Sequence, residues 1–301
     1  MLFGSQQIQE KLLKEVKRCE EEQNIKVIYG ALVGSISKGL QYTDSDYDTR
    51  FLYVREDFPE RILYPVHLKE EEVIYRTYLA DTCFEKIPFW ELSSFLQYLI
   101  HPGIDGSFST GLYNVVGWTF LSPYSWDPYG LKNKIVPLIQ KLFHKDYFIQ
   151  YHKDILDQDD IRDTVVNAKQ YFNLLYSALA IDYANKYNEF PPVYLQSLLQ
   201  HVPADVREVT LRMVHIAQRK AQEYVKRYDS VTAAHNASVA VNIERDKEID
   251  QYVESVRDTI KNFKMQYLEH NDKMIFEEKV KGVYQIVKRS VYQEESIIER
   301  W

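Results

Sequence analysis

A chain of 301 residues is long for one domain and comfortable for two. Hydrophobic residues at 45% and charged residues at 27% are ordinary globular composition and exclude a disordered or collagenous chain. With 37 Lys and Arg against 44 Asp and Glu, the formal charge of -7 excludes a general nucleic-acid coat, whose affinity rests on neutralising many phosphates, though it leaves room for a local basic groove.

Ile8, Leu12, Val16 and Cys19 form the stripe of an amphipathic helix that starts near Ser5 and ends among the glutamates at 20–22. β-rich runs follow at 25–33 and 46–55, then strand candidates at 62–68, 72–79 and 83–90 before ELSSFLQYLI reads as helix. Prolines and glycines crowd residues 102–130, and beyond them the pattern turns to long helices over 135–143, 161–187, 192–199, 204–228, 246–268 and 276–298. Residues 231–243 read as a loop or a frayed helix. The expected architecture is a mixed α/β domain over 1–128 followed by an all-helical domain over 129–301, with a ligand held in the cleft between them.

Cys19 and Cys83 are too few for a disulfide framework and sit at no zinc-ligand spacing. The N-terminus turns polar after MLF, and no apolar run nears the roughly 18 residues of a membrane span, so a cytoplasmic chain with no leader and no membrane partner is expected. Neither an HExxH pattern nor a Gly-x-Ser-x-Gly elbow is present, which leaves zinc hydrolysis and serine nucleophilic catalysis without support.

The stretch that carries chemistry is Gly34-Ser35-Ile36-Ser37-Lys38-Gly39, then LQYTDS, then Asp46-Tyr47-Asp48. Gly34 and Gly39 have the separation of a phosphate-cradling Walker loop, but position 40 is Leu where that loop requires Lys. On a strand, residues two apart share a face, so Asp46 and Asp48 would present paired carboxylates, which need a cation. Magnesium suits such oxygen ligands and completes its shell with water and substrate phosphates. Gly34 allows close backbone approach, Ser35 and Ser37 offer hydroxyls, Lys38 adds a positive charge, and a helix starting at Ser35 would aim N–H groups at an anion. The bland alternative is an Asx-rich turn at a polar strand edge.

Gly-Ser, ten residues, then Asp-x-Asp opening a strand resembles the signature of the DNA polymerase β nucleotidyltransferase superfamily. The form GSISKGLQYTDSDYDTRFLYV is similar to one branch, the RNA repair pathway polymerase β family of RlaP-type nucleotidyltransferases. FWELSSFLQYLIHP and AKQYFNLLYSALAIDY with Phe190-Pro191-Pro192 extend the resemblance across roughly residues 25–200. Departures are Ile36 for the family's Arg, so that by the resemblance the phosphate contact would pass to Lys38, His101-Pro102 for an Asn-Pro, and Tyr176-Ser177 for an Arg-Pro.

The resemblance implies a polymerase-β-like palm followed by a helical domain, and transfer of a nucleoside monophosphate from a triphosphate, ATP being expected, to an acceptor hydroxyl with release of pyrophosphate. Asp46 and Asp48 would hold two magnesium ions, Gly34, Ser35, Ser37 and Lys38 the phosphates, Lys169 the triphosphate and Tyr171 the nucleotide. A core Tyr beside an exposed Lys is the alternative for the last two. A third carboxylate is expected on a neighbouring strand. Glu91 is favoured over Glu85 and Asp81, against a reading of Glu91 as a first-turn helix carboxylate. Arg50 either touches the triphosphate or neutralises the aspartates. The family name points to RNA as acceptor in RNA repair; a protein or small-molecule acceptor and a non-catalytic nucleotide-binding module are the alternatives. Arg212, Arg219 and Lys226, seven apart, form a basic stripe that either tracks RNA or is a solvated helix face.

Overall fold

The computed structural model describes residues 6–41, 47–55, 73–77, 86–99, 109–158, 163–227, 241–267 and 269–298. They divide, by packing, into two compact units: Met1–Val33, Asp48–Phe143 and Tyr267–Trp301 in one, Gly34–Tyr47 and His144–Gln266 in the other. The N-terminal region is mixed α/β around a sheet, and the later part is mostly helical.

The first unit opens with α1 (Gln6–Gln23), whose buried face is Leu12, Val16 and Cys19, as the stripe predicts. Asn24 takes a left-handed φ of 48° and turns the chain into β1 (Lys26–Leu32). Three further strands, β2 (Thr49–Val54), β3 (Val73–Thr77) and β4 (Lys86–Glu91), precede α3 (Leu92–Gln97), α4 (Ser109–Leu121) and the short β5 (Ser125–Trp126). The sheet order is β3-β4-β2-β1-β5, with β2 and β4 parallel and the other pairs antiparallel. Its centre is aromatic. Phe51 stacks on Phe89 at 5.1 Å, and the Phe51 ring lies over Gly30, where a Cβ would stand 2.5 Å from Cε1, so only glycine fits there. The expected strand at 62–68 lies outside the described residues, and the one at 46–55 begins at Thr49.

Sequence texture misses α4, which lies inside the Pro/Gly-rich stretch at 102–130. Tyr113, Asn114, Val116, Thr119 and Phe120 are all buried, so the helix has no polar face to give a period. After it come α5 (Lys132–Lys141) and α6 (Lys145–Asp157), the second a helix absent from the sequence expectation.

The second unit is mostly helical, as expected, with one short two-stranded addition. β6 (Val165–Asn167) pairs antiparallel with β7 (Asn242–Glu244), and the helix expected from 161 begins only at α7 (Ala168–Tyr187), where Asn167 accepts the Gln170 N–H at 3.2 Å as N-cap. The bundle continues with α8 (Leu195–Leu198), α9 (Ala204–Arg227) and α10 (Lys247–Ile260), which ends eight residues before the expected stop at 268. Helix α11 (His270–Ile298) packs with α3 in the sheet unit, where Tyr292 donates to the Val54 carbonyl at 3.4 Å. No helix among the described residues is long and apolar enough to cross a membrane.

Candidate functional site

β1 and β2 bracket the Gly-Ser to Asp-x-Asp stretch. Beyond the Leu32–Thr49 pair the Val33 N–H donates to the Asp48 carbonyl at 2.8 Å, so the ladder carries one pair further and delivers Asp48 at the entrance to β2. Asp48 is exposed there, one residue before the strand proper. Asp46, its expected partner, lies outside the described residues.

Gly34 has φ +68°, a conformation that turns the chain out of the strand without steric cost only in glycine. The helix it opens, α2 (Gly34–Lys38), is five residues long. Gly39, at φ +73°, ends it: its N–H donates to Ile36 O at 3.1 Å and the Leu40 N–H to Ser35 O at 2.9 Å. That pair of bonds is the Schellman closure, so the second glycine of the motif serves a helix stop and not a phosphate cradle.

Two of the residues expected at the phosphates turn inward. Ser37 is 1% exposed and donates its hydroxyl to Gly34 O at 2.9 Å, which explains its burial and removes it from the ligand. Lys38 is half-buried with Nζ 4.3 Å from the Tyr176 ring centroid, a cation–π seat, and burial holds its amine down to about 8. Behind it His152, 1% exposed, shares a 3.0 Å hydrogen bond with Ser177, and burial reinforced by Lys38 pushes its pKa well below the usual value. Gly34 and Ser35 remain half-exposed.

Glu91 is not beside Asp48. In the parallel β2–β4 ladder it pairs with Tyr53, which stands roughly 16 Å along β2 from Asp48 at about 3.3 Å per residue. It is 1% exposed and caps α3, accepting the Ser94 N–H at 2.8 Å and the Ser93 hydroxyl. Burial raises its pKa, and the Ser93 and Ser94 hydrogen bonds pull it back. The first-turn reading therefore holds, and the metal-ligand role falls on geometry. The same register, run back from Phe51 and Phe89, sets Lys86 level with Asp48, while Glu85 and Asp81 lie outside the described residues.

Lys169 is exposed in the first turn of α7, whereas Tyr171 is 2% exposed and donates to Asp250 Oδ1 at 2.8 Å. Arg245 lies 5.0 Å from that ring and pairs with Asp250 at 3.1 Å. Tyr171 is thus a core residue, and the nucleotide-lining role does not survive its burial. Arg50 is half-buried, 5.7 Å from the Trp90 ring. Arg212 and Arg219 are exposed on α9, 3.6 Å from Asp246 and 3.9 Å from Glu223, and Lys226 is exposed on the same helix. A depression of about 600 Å³ lined by Thr164, Arg245, Lys247 and Asp250 contains none of the expected site residues. Among the described residues no group of three or more His, Cys, Asp or Glu is placed to hold a metal.

Sequence reasoning missed Tyr194 and Gln218, which close on the stretch just after α2. Tyr194 packs its ring on Gly39, and Gln218 donates to the Gln41 carbonyl at 3.1 Å. Nothing local signals them, because both lie more than 150 positions downstream.

Residues 8–97 match the model of the RNA repair pathway DNA polymerase beta family. That match supports the polymerase-β-like family for this part of the chain. It spans α1, the Gly34–Asp48 motif, the strands β1 to β4 and α3. The family suggests a nucleotidyltransferase, and hence a transferase, connected with RNA repair. A curated relative, the Uncharacterized protein YcgL of Bacillus subtilis (strain 168), is 23% identical over 217 residues, covering 71% of this chain and 76% of the relative.

Proposed function

We propose that the protein is a magnesium-dependent nucleotidyltransferase whose acceptor is an RNA hydroxyl. The observation that carries this is the Gly34-Ser35 turn and Asp48 at backbone-paired ends of β1 and β2, inside the segment that matches the polymerase β family. The acceptor oxygen attacks the α-phosphorus of a nucleoside triphosphate, ATP in the simplest case. The bond to the β-phosphate oxygen breaks, pyrophosphate leaves and the acceptor proton passes to solvent or a base.

Asp48 offers an exposed carboxylate of the hard oxygen type that magnesium takes, and Asp46 supplies the second by the motif. Bound metal would stabilise the entering and leaving oxygens. Gly34 and Ser35 present backbone and hydroxyl to the phosphates, and Lys169, exposed in the first turn of α7, is the cation that the family resemblance assigns to the triphosphate. Ser37, Lys38 and Tyr171 support these elements from within.

A second reading, transfer to a protein or small molecule, draws support from the net charge of -7. The test is incubation with each α-labelled triphosphate, magnesium and either total RNA or cell lysate. Label entering RNA with matching pyrophosphate release is the expected result. Label in protein alone promotes the second reading, and nucleotide bound without transfer leaves only a binding module.

A further inference from the structure

Residues 38–41 carry the chain out of α2, and side chains from three separate helical-unit elements converge on them. Tyr176 of α7 lies under the Lys38 ammonium at 4.3 Å. The Tyr194 ring, at the start of α8, lies so close to Gly39 that a Cβ there would stand 2.5 Å from Cε2, 3.1 Å from Cδ2 and 3.2 Å from Cζ. Gln218 of α9 holds the Gln41 carbonyl at 3.1 Å. The Schellman bonds of Gly39 and Leu40 already close the helix end locally. What the long-range contacts add is a fixed exit for the chain. A five-residue helix is too short to hold itself in water, since nucleation fixes several dihedrals for each hydrogen bond gained.

We infer that Tyr194 and Gln218 are positioning residues that hold Gly34–Gln41 in the conformation that binds the nucleotide phosphates. This rests on the nucleotide-binding role proposed for Gly34 and Ser35. Each acts through the contact it makes, Tyr194 through Gly39 and Gln218 through Gln41. Loosening the segment lowers the population competent to bind, so nucleotide affinity falls more than the chemical step does.

The experiment compares the full-length wild type with Tyr194→Ala, Gln218→Ala and Tyr194→Phe in two measurements. Amide hydrogen exchange over residues 34–41 needs no nucleotide and reads the anchoring. KM for the labelled triphosphate against kcat reads its consequence. Both alanine variants are expected to exchange faster over this segment and to raise KM roughly tenfold while kcat stays within about threefold. Tyr194→Phe is expected to behave as wild type, because the contacts come from ring carbons. Gln218→Ala, at a half-exposed position, keeps the test valid if Tyr194→Ala fails to fold. Unchanged exchange in a folded alanine variant overturns the inference, as does faster exchange with unchanged KM. A wild type that neither binds nor transfers nucleotide instead overturns the functional reading, and it is recognised before any variant is compared.

Discussion

Glu91 shows how a carboxylate in the right stretch of sequence takes a structural role. Its Oε2 accepts the Ser94 N–H that the first turn of α3 leaves without a backbone partner, and the Ser93 hydroxyl donates to the same oxygen. Its pKa is raised above the ordinary value of 4.5, so the folded chain holds that proton more tightly than the unfolded chain does. Stability from this group is therefore complete below that value and declines as pH rises through and above it. Glu91→Gln lacks the decline, so urea unfolding should show its stability gaining on wild type as pH rises from about 4.5, while transfer stays near the wild-type rate. Glu91→Ala should cost about 1 kcal/mol through loss of the cap. Abolished transfer in Glu91→Gln with an unchanged unfolding curve would restore the metal-ligand role. Parity along the sequence pointed to Glu91 because strand alternation says which face a residue shares. It does not say which residue of the neighbouring strand lies opposite, and the β2–β4 register decides that.

At the scale of elements, periodicity is readable where one face meets water and silent where none does. The stripe of α1 and the β-rich runs of β1 and β2 were legible, the latter from their branched and aromatic residues. Helix α4, whose half-buried side is Gly111, Val115 and Trp118, has no charged face and gave no period, and β6 and β7 are three residues each, too short to register against the helices beside them. The stripe on α9 falls where periodicity put it, with Arg212 and Arg219 exposed near carboxylates. Exposed pairs of this kind contribute under about 1 kcal/mol each, so they leave both cations available to an RNA backbone. Reversing Arg212, Arg219 and Lys226 to glutamate should weaken RNA binding and reduce its salt slope by up to about 2, at about 0.7 for each phosphate of a single strand that is no longer neutralised. Triphosphate affinity should not move. An unaltered slope removes α9 from the RNA path.

For the molecule as a whole, local texture suggests one cut near 128, whereas packing divides the chain at Val33/Gly34, Tyr47/Asp48, Phe143/His144 and Gln266/Tyr267. Composition marks where elements change type. It cannot mark which later helix a loop settles against, so the grouping of residues 34–47 with the helices had no signal in the sequence. The Gly34 turn and the place of Asp48 were legible because both are local: a glycine at positive φ and an exposed carboxylate at a strand entrance. The measurement that tests the proposed chemistry most directly is transfer of label from an α-labelled triphosphate by Asp48→Asn and Asp46→Asn, each shown by its unfolding curve to be folded. Transfer is expected to vanish in both while the stability of Asp48→Asn stays close to wild type, since an exposed carboxylate contributes little to the fold. Full transfer by either variant would contradict a nucleotidyltransferase built on these two carboxylates.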